Sequence, residues 1–264
     1  MNKVITGASQ GIGKGLAMEF ARQGHNVVVA ARSQQILQQL ADDINQLGAQ
    51  ALPVACDTQD CQQVLNLWQQ AVNTFGQVDV WINNAGIART TWSIADTPQD
   101  QIEAMVNTNI IGTINGCRVA AKNMSQQGFG KIINVLGGGS DGEYFPGMGI
   151  YGTTKRALDY FTNALVKELK DTPVVVAKVR PGMVITEGMV REAQTDPKKF
   201  QQSRRFANIL CDYVEDVAPY LVEQILACQK SGSKIAWLNG WKITKRMLLA
   251  KLKQPQDKFA RFGL

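Results

Sequence analysis

The sequence predicts an α/β protein built on one doubly wound parallel sheet of about seven strands, with helices on both faces. Three observations carry this. Apolar runs of strand length alternate with helix-period segments through most of the 264 residues. The runs are nearly continuous in Val and Ile, the pattern of strands covered on both faces. No linker and no internal repeat divides the chain, so residues 1–264 read as a single domain, a size that α/β units reach.

The strand-length runs fall at residues 3–6, 26–31, 51–55, 78–83, 131–136, 174–179 and 234–238. In the stretch SQQILQQLADDINQLG, Ile36, Leu37, Leu40, Ile44 and Leu47 keep helical spacing, with Ser33 as a cap and Gly48 as a stop. Leu158, Phe161, Leu165 and Leu169 do the same after residue 150. Each crossover between parallel strands is expected to be right-handed.

Two segments break the alternation. Residues 187–212 are polar and carry Lys198, Lys199, Arg204 and Arg205. A long insertion after a strand of such a sheet falls at the ligand-binding edge, so this one is expected to be a substrate lid; a solvated pair of surface helices is the alternative. Met183, Met189, Phe200 and Phe206 would then give the lid an apolar lining, or pack it internally. The tail, 240–264, mixes Trp241, Met247, Leu248, Leu249 and Leu252 with basic residues. It reads either as a helix packed on the domain or on another subunit, the simpler expectation, or as an interfacial helix making weak contact with an anionic membrane.

Composition narrows the function classes. Apolar residues make up 45% and charged residues 19%, which is ordinary for a soluble globular protein. The net charge of +6 suits an anionic small ligand and is too small to argue for nucleic acid. Five cysteines without a CxxC pair read as reduced thiols, and the single His25 excludes a histidine-rich metal site, so no metal is expected. With no signal-peptide pattern and no apolar run long enough to span a bilayer, the expected location is cytoplasmic.

TGASQGIGKGLAMEF follows the first strand and opens a helix, with Gly7, Gly11 and Gly13 spaced as G-x-x-x-G-x-G. Glycine there lets the backbone approach a pyrophosphate, whose charge then meets the free N–H groups of the helix start. The end of the second strand selects the nicotinamide. NAD sites place a carboxylate there for the ribose 2′-OH. This chain reads Ala30-Ala31-Arg32-Ser33, with no acid before Asp42. Arg32 offers several donors to a 2′-phosphate, so NADP(H) is the expected cofactor.

Tyr151 and Lys155 stand four residues apart on a predicted helix, hence on one face. Tyr151 is the candidate proton donor to a carbonyl oxygen. A cation such as Lys155 beside the phenol would lower a pKa that is otherwise near ~10. Lys155 would also reach the nicotinamide ribose.

These residues together resemble the short-chain dehydrogenase/reductase family across nearly the whole chain. The matching motifs are Thr6-Gly-Ala-Ser-Gln-Gly-Ile-Gly13, Asp57 after the third strand, Asn83-Asn84-Ala85-Gly86, Asn109 in NTNIIG, Tyr151-x-x-x-Lys155 and Pro181-Gly-Met-Val-Ile-Thr186. Within the family the chain is similar in motif to chlorophyll b reductase-like members, though chlorophyll as substrate does not follow. The resemblance implies a Rossmann-like fold and a dinucleotide seated on Gly7, Ser9, Gly11, Ile12, Gly13, Arg32 and Ser33. It also implies Asp57 at the adenine, Asn84 and Gly86 along the adenosine ribose, and Val184 and Thr186 at the carboxamide. Asn109 would brace a water chain to Lys155, and the helices near 111–125 and 150–170 would form a homodimer or homotetramer.

The family's usual serine is displaced. It lies thirteen residues before the Tyr, a position that here is Gly138, while counting forward from Asn134 gives Gly137; the nearest hydroxyl is Ser140. Either the glycine-rich turn brings Ser140 to the carbonyl as a catalytic hydroxyl, or Ser140 only satisfies a turn. The expected function is NADP(H)-dependent interconversion of a carbonyl and an alcohol on an apolar small molecule. The alternative is a nucleotide-binding sensor or scaffold of the same fold without turnover.

Overall fold

The computed structural model describes residues 1–264. Strands β1 (Asn2–Thr6), β2 (Asn26–Ala31), β3 (Ala51–Ala55), β4 (Val80–Asn83), β5 (Gly130–Val135) and β6 (Val174–Arg180) form the sheet with β9 (Lys234–Ala236), in the order β3-β2-β1-β4-β5-β6-β9. Every neighbouring pair is parallel, as in Val4↔Val28 and Ile82↔Ile133. The expected seven-strand sheet is therefore present. The runs at 78–83 and 234–238 are shortened, to Val80–Asn83 and Lys234–Ala236.

Helices α1 (Gly11–Arg22), α2 (Gln34–Gln46), α3 (Cys61–Phe75), α4 (Gln99–Met105), α5 (Gly112–Gln127) and α6 (Gly149–Glu168) fill the crossovers. One apolar core lies on the β1 face with Leu16, Phe20, Leu37, Leu221 and Ile225, and the other gathers Leu67, Trp68, Trp81, Cys117 and Met124. Residues alternating along each strand feed opposite cores, Val4 and Val28 one, Ile5 and Val29 the other.

Two features were not foreseen. Residues Val106–Ile111 form a π-helical turn between α4 and α5. A second, two-stranded sheet pairs β7 (Val184–Ile185) with β8 (Asp212–Tyr213), and α7 (Glu187–Thr195) and α8 (Pro197–Leu210) lie between them. The insertion at 187–212 is thus a helical flap closed at its base by a strand pair. Beyond it, α9 (Val214–Ala227) packs on α1, and α10 (Gly240–Leu252) lies against α8. No helix is long and apolar enough to cross a membrane.

Candidate active site

The order of the strands reverses between β1 and β4, so their C-terminal ends flank a crevice. Here the turn after β1 and the turn after β4 are joined as one block. Thr6 Oγ1 donates to Ile82 O and accepts from the N–H groups of Asn84 and Ala85, both at 3.1 Å. Asn84 Nδ2 donates to Thr6 O and Gly7 O, each at 3.0 Å. Gly7 has φ 64°, and a Cβ on it would come within 2.6 Å of Ala85 Cα. A Cβ on Gly13 would fall on Gly7 O. Gly7 and Gly13 are therefore glycines because backbone stands where a side chain would go.

Around this cradle, Ser9 and Ile12 are half-buried, and Arg32 is exposed at the end of β2 with no ion pair. Ser33 stands at the N-cap of α2, but its hydroxyl makes no capping bond. Asp57 Oδ1 accepts from Gln59 N–H at 3.0 Å, which shapes the turn after β3. Val184 is buried in the main core, and Thr186 caps α7, its Oγ1 accepting from Met189 N–H at 3.3 Å. A turn stripped of side chains at the start of a helix fits the pyrophosphate of a dinucleotide. One contact was not anticipated: Glu187 Oε2 accepts the Gly11 N–H at 2.9 Å, so a carboxylate of the flap rests on the N-terminus of α1.

On the other side of the crevice, α6 places Tyr151 and Lys155 one turn apart. Lys155 is buried, its Nζ donates to Val135 O at 3.2 Å and it lies 5.7 Å from the centre of the Tyr151 ring. Burial pushes the Lys155 amine down to about 8. Burial likewise pushes the Tyr151 phenol up to about 12, with the Arg180 guanidinium pulling it back. The sequence had Lys155 lowering the phenol; in the structure desolvation acts on both groups and dominates.

Asn109 is fully buried in the π-helical turn. Its Oδ1 accepts from Ile87 N–H at 2.8 Å, and its Nδ2 donates to Ile87 O at 2.9 Å and Thr154 Oγ1 at 3.0 Å. A Cβ on Gly86 would lie 3.2 Å from Asn109 Oδ1 and 3.5 Å from Lys155 Nζ, so Gly86, Asn109 and Lys155 meet at one point. The extra residue of the π turn re-aims the side chain, a device common at functional sites. Hydrophobic periodicity carried no trace of it.

The three glycines face three different neighbours. A Cβ on Gly137 would fall on the Tyr151 hydroxyl, one on Gly138 would lie 2.6 Å from Met148 Cε, and Gly139, with φ 89°, packs on Gly152. Of the two positions counted for a hydroxyl, Gly137 is the one that faces Tyr151. Ser140 is fully buried and its Oγ has no hydrogen-bond partner, Tyr151 included. Its N–H donates to Gly137 O, and its carbonyl accepts from Arg156 at 2.9 Å. Past it, Arg180 pairs with Asp141 and Glu143, and Lys234 reaches Asp141 at 2.5 Å. Sequence reasoning missed this network; the only local signal was a charged residue directly before Pro181.

The flap is latched across the crevice. Glu192 accepts from Thr90 N–H at 3.1 Å and Thr91 Oγ1 at 3.0 Å and pairs with Arg89 at 3.2 Å. Lys199 Nζ donates to Thr90 O at 2.8 Å and Thr91 O at 2.9 Å. Its apolar residues do not line the crevice as the lid reading had it. Phe200 meets Phe259 edge to face with ring centres 4.9 Å apart, Met183 and Met189 pack into the same small core, and Phe206 is exposed. Apolar surface appears instead at the rim, where exposed Tyr144 and Phe145 precede α6 and Ile94 covers Gly149.

Known proteins agree with this geometry. The short chain dehydrogenase family model matches residues 2–197. The chain is 35% identical over 238 residues to the chloroplastic chlorophyll(ide) b reductase NOL of Arabidopsis thaliana, covering 88% of this chain and 67% of that protein. The chain spans about half the length of the probable chlorophyll(ide) b reductases NYC1 of Arabidopsis thaliana and Oryza sativa subsp. japonica, to which it is 32% identical. Among solved structures, a 3-ketoacyl-(acyl-carrier-protein) reductase from Brucella melitensis complexed with NADH superposes with a TM-score of 0.78 at 25% identity, covering 91% of this chain and 98% of that one. A serine dehydrogenase complexed with NADP+ gives 0.79 at 25% identity, covering 90% and 95%. A family match over most of the chain, together with a relative of this identity and coverage, leaves one assignment: the chain is an oxidoreductase of the short-chain dehydrogenase/reductase family.

Proposed function

We propose that the protein uses NADP(H) to interconvert a carbonyl and an alcohol on a small, largely apolar molecule. The observation that carries this reading is the convergence of Tyr151, Lys155 and Asn109 beside the glycine cradle at the strand-order reversal. When bound, the nicotinamide supplies or takes the hydride.

In reduction, Tyr151 gives its phenolic proton to the carbonyl oxygen. Its high pKa keeps that proton in place at neutral pH until the oxygen becomes basic. Lys155, fixed by Val135 O, brings positive charge to the phenolate that forms. Asn109 ties Ile87 to Thr154 and so fixes the turn after β4 against α6. Ser140 Oγ is the one side-chain hydroxyl on the glycine turn, and a buried hydroxyl without a partner is unusual in a folded protein. Rotation at Gly138 and Gly139 would bring it to the substrate oxygen as an orienting donor. The unpaired Arg32 supports NADP(H) over NAD(H), and the exposed Ile94, Tyr144 and Phe145 support an apolar substrate. The faces of α5 and α6 would associate two or four copies, which sedimentation equilibrium measures.

NADPH oxidation against a panel of ketones and quinones tests the reading. Tyr151→Phe should cost about 10²–10⁴ in kcat. NADP(H) binding with no turnover on any substrate would support the sensor alternative. Arg32→Asp should move preference toward NADH by about tenfold or more, and an unchanged ratio would remove the cofactor assignment. Ser140→Ala should lower kcat by about 10² if its hydroxyl reaches the carbonyl, and leave it unchanged if it does not.

A further inference from the structure

Helix α10 is attached to the domain in an unusual way. Asn239 caps it, with Oδ1 accepting from Lys242 N–H at 2.9 Å, and Arg246 bonds Leu210 O at 3.1 Å and Asp212 at 3.0 Å. Lys242 lies over the Trp237 ring. These polar contacts hold one side of the helix, and none of its residues is fully buried. Its large apolar residues point the other way: Trp241 is 77% exposed, Leu248 56%, Leu249 53% and Leu252 85%. Trp241, Leu248 and Leu252 recur at spacings that return to one face of a helix, with Leu249 beside them.

The charges around this stripe are of one sign and unmatched. Lys245, Lys251 and Lys253 are exposed and form no ion pair, and Arg205 of α8 lines the same groove as Lys251, Leu252 and Lys253. The one acid there, Asp257, is taken by Arg204 at 2.5 Å. Apolar side chains with a tryptophan on the outward face, with Lys245 rising between them and Lys251 and Lys253 at the end of the helix, are complementary to a surface that is apolar below and anionic on top. A long lysine side chain can lift its ammonium to the headgroups. A second copy of the chain fits less well, because a two-fold contact would set these lysines against one another.

We propose that α10 is an interfacial helix that seats the protein on an anionic phospholipid surface, with Trp241, Leu248, Leu249 and Leu252 entering the headgroup boundary and Lys245, Lys251 and Lys253 meeting lipid phosphates. Because α10 lies against α8, the flap then sits beside the bilayer. The proposal does not depend on the NADP(H) reductase reading, and its test uses no activity.

The full chain is sedimented with phosphatidylcholine vesicles and with phosphatidylcholine–phosphatidylglycerol vesicles of about 7:3 composition. It should pellet with the second, remain in solution with the first, and be released as salt rises. Leu248→Asn with Leu252→Asn should weaken partition about tenfold or more, and so should Lys245→Glu with Lys251→Glu and Lys253→Glu. Emission should shift to the blue on binding, and the shift should be lost in Trp241→Phe. No pelleting with the anionic vesicles, or pelleting that both variants retain, overturns the proposal. So does an oligomer that ignores vesicles and is split by the leucine variant, which would make this face a subunit contact. If the leucine variant fails to fold, the lysine variant and the Trp241 emission decide.

Discussion

Two turns face each other across the crevice, and they are held in opposite ways. The turn after β1 is locked by short hydrogen bonds among neighbouring backbone and side-chain atoms, with Thr6 and Asn84 stitching it to the turn after β4. The glycine turn after β5 has backbone bonds of its own, Ser140 N–H to Gly137 O and Gly142 N–H to Gly139 O, but no side chain ties it to a neighbouring turn as Asn84 does. It rests on close packing against Tyr151, Met148 and Gly152, and is held from outside by Arg156, Arg180 and Lys234. The first turn is rigid by its own residues. The second borrows its position from charges on α6, β6 and β9, which leaves it freer to shift when a substrate arrives.

The largest expected effect strikes the rigid turn. Asn84→Ala removes two bonds of 3.0 Å and leaves Thr6 O and Gly7 O without that partner. Stability should fall by about 2 kcal/mol, measured by urea unfolding. Affinity for the dinucleotide should weaken more than about tenfold, because the cradle itself would deform. A variant that binds cofactor normally would show that the two turns are not held differently.

The proposed catalytic side is probed next by pH. Lys155, pushed down to about 8, is an ammonium below that value and a neutral amine above it. Tyr151, pushed up to about 12, keeps its proton throughout that window. For carbonyl reduction kcat/KM should therefore be level below pH 8 and fall about tenfold per unit above it, as the cation that stabilises the phenolate is lost. A descending limb that stays in place in Lys155→Arg would assign the titration to another group.

A smaller effect separates position from strength. Arg180→Met removes ion pairs that are partly solvent-exposed, so stability should change by less than about 1 kcal/mol. Yet the turn at Gly137–Ser140 loses its outer anchor and Tyr151 loses the one cation that lowers its pKa. A fall of about fivefold in kcat with unchanged cofactor affinity is expected. Loss of cofactor affinity instead would mean that the two turns are one mechanical unit.

The same contrast explains what the sequence disclosed. Gly7, Gly13 and Asn84 were legible because each is required by geometry within a few residues or by a turn of known shape. Tyr151 and Lys155 were legible because helical spacing puts them on one face. Nothing local marks Arg180 as the anchor of Asp141 and Glu143, since the pairing spans about forty residues and depends on β6 lying beside β5. Nor does any apolar rhythm announce the π turn that aims Asn109, or tell that Phe200 turns inward to Phe259 and away from the crevice. Between lining and internal packing, both open to Met183, Met189 and Phe200, the contacts of the small core favour packing.

The flap itself offers the finest test, because it touches both sides. Glu192 and Lys199 latch it to residues 89–91, while Glu187 sets its carboxylate on the Gly11 N–H, where an incoming diphosphate would place its own charge. Cofactor entry then has to displace a like charge from a helix N-terminus, a contact worth about 0.3–1 kcal/mol at such a site. Glu187→Gln keeps the shape of the side chain and removes the charge. Titration of the cofactor against intrinsic fluorescence should show the dissociation constant falling by about two- to fivefold, with the gain shrinking as salt is raised. An unchanged constant would mean that the carboxylate leaves without cost, and that the rigid turn is as open to ligand as the glycine turn opposite.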